Sequence, residues 1–281
     1  MRTVERPRFD AEGTYTLCIS GVQDVNLSER LVTITADIAD AAADYAECAE
    51  MARLHLILQS NGVAGIVTTD EMVAVYSGRM VGKRGPGRSV YDALRMLPSN
   101  GICPFCDHGP VSTLDHILPK TLFPALAVTP DNLVGSCKDC NMAKLAAAPT
   151  CAEDTALHPY FDDISDEQWL GAQVVEGDVA AVIFHIIPVD AWSEELNARI
   201  SNQFQALVLG PLYASQAARE ISGQRKDIIR IFDARGENGV REELERKSET
   251  WEAYRLTCWQ AVAFQALSEN DWFCGGGFQN G

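Results

Sequence analysis

Residues 101–144 read GICPFCDHGPVSTLDHILPKTLFPALAVTPDNLVGSCKDCNMAK. Two C-x-x-C pairs, Cys103/Cys106 and Cys137/Cys140, bracket the stretch. Each pair places two thiols on one side of a tight knuckle, and two knuckles supply the tetrahedral sulfur shell that Zn²⁺ prefers. Thirty residues separate Cys106 from Cys137, more than a zinc ribbon uses, so the insert has to be folded in its own right. Four cysteines leave no open coordination position. A Zn²⁺ ion here is therefore structural.

The insert carries the reactive side chains. Leu114-Asp115-His116-Ile117 reads as a short strand with an acid beside an imidazole. Neighbours on a regular strand point to opposite faces. Either a turn re-aims one of them, or they flank a site from different sides. Pro119, a loop and Asp131-Asn132-Leu133-Val134 follow, leading into the second knuckle. Asn141 comes directly after Cys140 at the expected start of a helix, and Lys144 lies three residues further on. Asp107 and His108 sit too close to the first knuckle to join the same site and read as turn residues.

The order D-H-I-x-P, N-L-V, C-x-x-C-N-x-x-K resembles the HNH endonuclease signature in its zinc-knuckle form, over 44 of the 281 residues. Asn141 stands where other members have a histidine as the last metal ligand. The resemblance implies an α+β protein whose ββα-metal HNH core rests on a four-cysteine zinc site (Cys103, Cys106, Cys137, Cys140) and holds one catalytic cation, Mg²⁺ or Mn²⁺. It also implies the roles. His116 is the general base, suited by an ordinary pKa of about 6.5. Asp115 and Asn141 are oxygen ligands of a hard cation. Asn132 holds the loop that orients the base, and Lys144 and Lys120 contact phosphate. His158-Pro-Tyr-Phe-Asp162 resembles a segment that follows the core in bacterial members linked to phage defence, where it packs on the core.

Outward from the motif, the chain reads as mainly helical. A helix is expected over residues 28–60, capped by Ser28, with a possible strand before it at Thr14–Val22 and a shorter helix at Asp70–Tyr76. Ser77–Gly87 (SGRMVGKRGPG) is expected to be a basic, glycine-rich loop leading to a helix at Ser89–Leu97, with Arg84 and Arg88 able to lie along a phosphate backbone. After a connector from Leu145, Gln173–Val189 suggests a hairpin turning at Glu176-Gly177-Asp178. Helices are expected at Trp192–Leu207, Tyr213–Asp233 and Val240–Leu267, before a flexible GGGFQNG tail. The expected division is a helical region 1–78, a nuclease core 79–148 with its lead-in loop, and a mainly helical region 149–281.

Composition sets further bounds. A chain 47% hydrophobic and 22% charged is a folded protein rather than a disordered one. No window reaches the ~18 apolar residues of a membrane span. The opening MRTVERPRFDAEG lacks a signal-peptide core, so the expected location is cytoplasmic with no membrane partner. The remaining cysteines (Cys18, Cys48, Cys151, Cys258, Cys274) are scattered and read as buried, reduced thiols.

A net charge of −16 is unusual for a nucleic-acid enzyme. Residues 79–144 hold 8 basic against 5 acidic side chains, and every other stretch is net negative. DNA is the expected substrate. RNA fits equally, because such a motif contacts the backbone. The acidic flanks suit a protein partner, such as the ATPase of a defence system in layouts that this one resembles, or a homo-oligomer. The competing reading from another class is a zinc-knuckle nucleic-acid-binding or adaptor protein that does not cut.

Overall fold

The computed structural model describes residues 1–144 and 148–279. The connector's first residues, 145–147, lie outside the described ones. The chain divides into two compact units, Met1–Asp163 and Ile164–Gly281.

In the first unit, α1 (Ala11–Ile19) occupies the stretch where a strand was expected. Tyr15, Cys18 and Ile19 are the buried apolar positions, an i, i+3, i+4 spacing that marks one helix face. Asp10 caps α1 by accepting the Gly13 N–H at 2.6 Å, and the Tyr15 hydroxyl donates to the Leu31 carbonyl at 2.8 Å.

The single helix expected over 28–60 is two helices, α2 (Val25–Thr33) and α3 (Thr35–Glu50). They are broken at Ile34 (φ −89°, ψ 7°) inside the β-branched run Val32-Thr33-Ile34-Thr35. Such residues lose rotamer freedom in a helix, and both threonine hydroxyls bond back to carbonyls, Thr33 to Glu29 and Thr35 to Val32. Asp24, not Ser28, is the N-cap of α2, accepting the Leu27 N–H at 3.0 Å.

A two-residue hairpin, β1 (Gly62–Val63) with β2 (Val67–Thr68), leads to α4 (Thr69–Ala74). Thr68 and Glu71 form a capping box at its start. Arg30 of α2 clamps the same carboxylate at 2.8 and 2.5 Å. Arg30 holds Glu71 down at about 2, below its ordinary 4.5, the Thr68 backbone helping. The folded-state value is the lower one, so the contribution to stability is full above about pH 4.5 and fades as pH falls toward 2. Glu71→Gln is therefore expected to cost about 1 kcal/mol at pH 7. In urea melts the gap to wild type should narrow below about pH 4.5 and close near pH 2, and a gap that stays constant with pH would contradict this.

The chain continues from α4 directly into a π-helical turn, Val75–Met80. The expected loop is thus helical over its first residues. It is also closely packed: a Cβ on Gly85 would run into the Arg79 carbonyl, and one on Gly87 into the Cys18 sulfur. After α5 (Arg88–Met96) come the first knuckle, β3 (Thr113–His116), a loop, β4 (Leu133–Ser136) and α6 (Lys138–Ala143). The two strands pair antiparallel, with Asp115 opposite Val134 and His116 opposite Leu133.

Leu114 and Leu133 of this hairpin join Tyr15, Ile38, Met72 and Leu94 in one buried cluster. Residues 1–78 and the cysteine-bearing segment therefore share a core, and no seam falls at 78/79. The reason is area: a two-stranded hairpin and a six-residue helix bury too little apolar surface to stand alone.

In the second unit, β5 (Leu170–Val175) and β6 (Ala181–Ile186) form the expected hairpin, in register from Leu170↔Ile186 to Val175↔Ala181. Ser193 caps α7 (Glu194–Ala206), and α8 (Leu209–Tyr254) is interrupted at Gly236, whose φ of 70° takes the left-handed region that glycine alone enters freely. α9 (Trp259–Glu269) and α10 (Asp271–Cys274) follow. The tail is held as far as Gln279, because Phe278 is buried and packs edge-on against Phe232 and Phe273. The nine cysteines form no disulfide among the described residues, and Cys48 and Cys151 are only partly buried. No described helix is long and apolar enough to cross a membrane.

Candidate functional site

The two knuckles meet. The sulfurs of Cys103, Cys106, Cys137 and Cys140 lie within 4.8 Å of one another, and all four residues are buried. Cys106 and Cys137 stand 3.8 Å apart, close to the edge of a Zn–S tetrahedron built on bonds of about 2.3 Å. Backbone amides point at the sulfurs, Gly109 N–H to Cys106 at 3.3 Å and Cys140 N–H to Cys137 at 3.4 Å. Hydrogen bonds from its three neighbours pull the Cys103 thiol far below the ordinary range. The same crowding, added to burial, pushes Cys106 and Cys140 far above it. Four such thiols lose their protons together only around a cation. The donor set fits a structural zinc.

Asp115 and His116 are both buried on β3, at 6% and 8% exposure, and strand alternation separates them. His116 lies on the Leu114 side. Its Nε2 stands 2.9 Å from the Ala127 carbonyl, and the Tyr76 ring packs edge-on against it with centroids 4.4 Å apart. A carbonyl only accepts, so the proton resides on Nε2 and the lone pair on Nδ1. Burial lowers its pKa to about 3, assisted by the charges of Lys120 and Lys144, so the ring is neutral.

Asp115 faces α6 instead. Lys144 Nζ stands 3.2 Å from its Oδ2 and donates to the His116 carbonyl at 2.7 Å. Burial raises the Asp115 pKa, with Lys144 opposing, and Oδ2 receives no well-aligned hydrogen bond. Asn141 is three residues before Lys144 and so shares its face of α6. Among the described residues its side chain has no hydrogen-bond partner.

Asn132 is fully buried. It accepts the Leu118 N–H at 2.7 Å and donates to the Leu118 and Leu126 carbonyls at 3.0 and 3.2 Å. It thereby ties both ends of the loop that presents Ala127.

The residues expected to contact phosphate differ in setting. Lys120 is partly buried, with its ammonium 5.2 Å above the Tyr76 ring. Lys144 is partly buried and holds Asp115 rather than reaching outward. Arg88 is engaged internally, with Asp92 at 2.8 Å and the Val81 carbonyl at 2.6 Å. Arg79 likewise bonds the Cys18 and Ser20 carbonyls. Lys83 and Arg84 remain exposed. The basic character of 79–88 therefore serves folding as much as surface charge. Asp107 is a turn residue with φ 53°, paired with Arg2.

His158 is a structural clip. Its Nδ1 accepts the Tyr160 N–H at 3.2 Å, which places the proton on Nε2, 3.0 Å from the Asp131 carbonyl and 3.0 Å from the Tyr45 hydroxyl. The Tyr160 hydroxyl donates to the Leu133 carbonyl at 2.8 Å. The His-Pro-Tyr-Phe-Asp segment thus fastens the chain on either side of Asn132.

Two contacts of His116 had no signal in the sequence. The Ala127 carbonyl is backbone, and Tyr76 reaches the site through a π turn that no residue pattern announces.

No family model matches the chain, and no solved structure matches it. Along nearly its whole length, however, it is similar to Protein ea31 of Escherichia phage lambda, with 27% identity over 278 residues, 91% of this chain and 93% of that protein.

Proposed function

We propose that the chain is a metal-dependent endonuclease of the HNH class that hydrolyses phosphodiester bonds in DNA. The observation that carries this reading is the setting of His116: its Nε2–H is fixed on the Ala127 carbonyl, so the Nδ1 lone pair is kept for a proton. The antiparallel pair β3–β4 followed by α6, with Lys144 reaching back to β3, supports the same reading because it is the ββα order that the sequence resemblance implies.

In this reading His116 takes a proton from water at Nδ1 while the Ala127 carbonyl holds the ring and stabilises the imidazolium that results. Burial alone makes the ring a weak base, and the negative charge of an arriving phosphate offsets that effect. Asp115 and Asn141 would hold the divalent cation, Mg²⁺ or Mn²⁺, and the buried Asp115 Oδ2 without an aligned donor fits that task. The cation supplies charge stabilisation of the phosphorane-like transition state and the leaving 3′-oxygen. Asn132 orients the base through the loop and touches no substrate. The acidic second unit would then serve a partner protein, a defence-system ATPase by resemblance of layout, or a second copy of the chain. RNA as substrate would use the same groups.

One observation favours the non-cleaving zinc-knuckle reading. The Lys144 ammonium already lies on Asp115, as in a purely structural ion pair. A plasmid-cleavage assay separates the two readings, run with Mg²⁺, Mn²⁺ and EDTA and with His116→Ala in parallel. The expected result is metal-dependent nicking or linearisation that falls by a factor of roughly 10²–10⁴ in the variant. Cleavage unaffected by His116→Ala would reject the assignment of the base, and intact plasmid under every metal condition would favour the adaptor.

A further inference from the structure

His116, Tyr76 and Lys120 form one stack, and among the described residues three of its polar groups make no hydrogen bond or ion pair. The first is His116 Nδ1. The second is the Tyr76 hydroxyl, on a residue only 7% exposed. The third is the Lys120 ammonium, partly buried above the Tyr76 ring. The Tyr76 hydroxyl is not one of the fully enclosed polar atoms that lack a partner, so it opens to solvent, whereas the hydroxyls of Tyr15, Tyr45 and Tyr160 are taken up inside the protein. The partly buried Lys120 ammonium lies over the face of the Tyr76 ring, which offsets part of its desolvation, and it pairs with no carboxylate among the described residues. Burial lowers the Lys120 pKa, and the charge of Asp115 opposes the shift.

The local backbone supports a role beyond packing. Tyr76 sits in the π-helical turn Val75–Met80, where its carbonyl accepts the Val81 N–H at 2.9 Å. Such turns give up regular helical bonding and recur at functional sites. Here the turn carries Tyr76 onto the exit of β3, with its ring held between the His116 edge and the Lys120 ammonium.

We propose that Tyr76 and Lys120 form an anion subsite that takes one non-bridging phosphate oxygen of a nucleic-acid backbone beside His116. The Tyr76 hydroxyl donates the hydrogen bond, and Lys120 supplies the counter-charge. The subsite deepens the endonuclease reading, on which it rests only for the part His116 plays; as an anion site it stands on its own groups. Lys120 thereby acquires a partner, and Tyr76 becomes a substrate-binding residue outside the cysteine-bracketed motif.

The test uses the full chain and a fluorescein-labelled DNA duplex, with anisotropy measured without added divalent cation and cleavage measured with Mn²⁺. The variants are Tyr76→Phe, Lys120→Met, Tyr91→Phe and His116→Ala, each checked by its melting curve. Tyr76→Phe keeps the ring against His116 and removes only the donor. It should weaken binding about tenfold, as loss of a hydrogen bond to a charged group does. Lys120→Met should weaken it similarly and reduce the salt slope by about one. Tyr91, whose hydroxyl also has no partner among the described residues but whose ring lies under Arg88, is the control and should bind as wild type does.

Wild-type affinity and cleavage in a folded Tyr76→Phe would overturn the subsite. If His116→Ala still abolished cleavage in that case, the endonuclease reading would survive alone. Absence of cleavage in every protein, with affinity still lost in Tyr76→Phe and Lys120→Met, would leave the subsite standing and reject the endonuclease. No binding by wild type of the duplex, or of a labelled RNA hairpin of equal length, would overturn the subsite.

Discussion

Stripping the metal from the four-cysteine site is expected to lower the melting temperature of the Met1–Asp163 unit by roughly 10–20 °C or more, with the Ile164–Gly281 transition unmoved. Structural zinc contributes an apparent ~10–16 kcal/mol to small knuckle folds, and a unit of this size gains about 1 kcal/mol for each 2–4 °C of melting temperature. Even half of that contribution gives the shift stated. The site has this leverage because it closes the 30-residue insert. Loss of the staple frees the first knuckle from β4 and α6 and restores chain entropy to a segment with little apolar surface of its own. The crowded sulfurs add to the effect: without a cation the thiols must take up protons within 4.8 Å of one another. Metal analysis should find one zinc per chain, and Cys137→Ser should reproduce the effect of the chelator. A chain that purifies without zinc and melts identically in chelator would instead carry four ordinary buried thiols.

What the sequence made legible was whatever it encodes by chemical type at fixed spacing. The paired cysteines converge, Asp115 and His116 lie on a strand, and Asn132 holds a loop, because each role is tied to a residue type whose chemistry demands it. Element boundaries were less legible where propensity and packing compete. The alanine-rich run looked continuous from 28 to 60, yet four β-branched residues at Val32–Thr35 break it. Residues 14–22 alternate like a strand, but burial of Tyr15, Cys18 and Ile19 on one face makes a helix. The basic loop misled for a different reason. Charge is visible in a sequence, whereas the carbonyls that consume the donors of Arg79 and Arg88 are not. Tyr76 was invisible because a π turn is a property of the folded backbone and has no residue signature.

The two asparagines of the site should part company under substitution. Asn132→Ala removes three buried hydrogen bonds and leaves the Leu118 N–H and the Leu118 and Leu126 carbonyls facing a cavity. At about 1 kcal/mol for each net bond, and more where a buried group is left unsatisfied, the expected loss is roughly 3–4 kcal/mol, or about 6–16 °C. Asn132→Asp should be worse, because a second carboxylate oxygen would then face two carbonyls in place of the amide donor. The loop that moves is the one presenting Ala127, so His116 also loses the partner that fixes its proton, and cleavage should fall by about 10²-fold at temperatures where the variant is still folded. Asn141→Ala should do the opposite. Its side chain is half-exposed and has no hydrogen-bond partner among the described residues, so stability should stay within about 0.5 kcal/mol of wild type while metal-dependent cleavage disappears. Denaturation and cleavage measured side by side on the two variants read the separation directly. Equal destabilisation by both would mean that Asn141 is a structural residue, which would remove one of the two oxygen ligands of the proposed cation site.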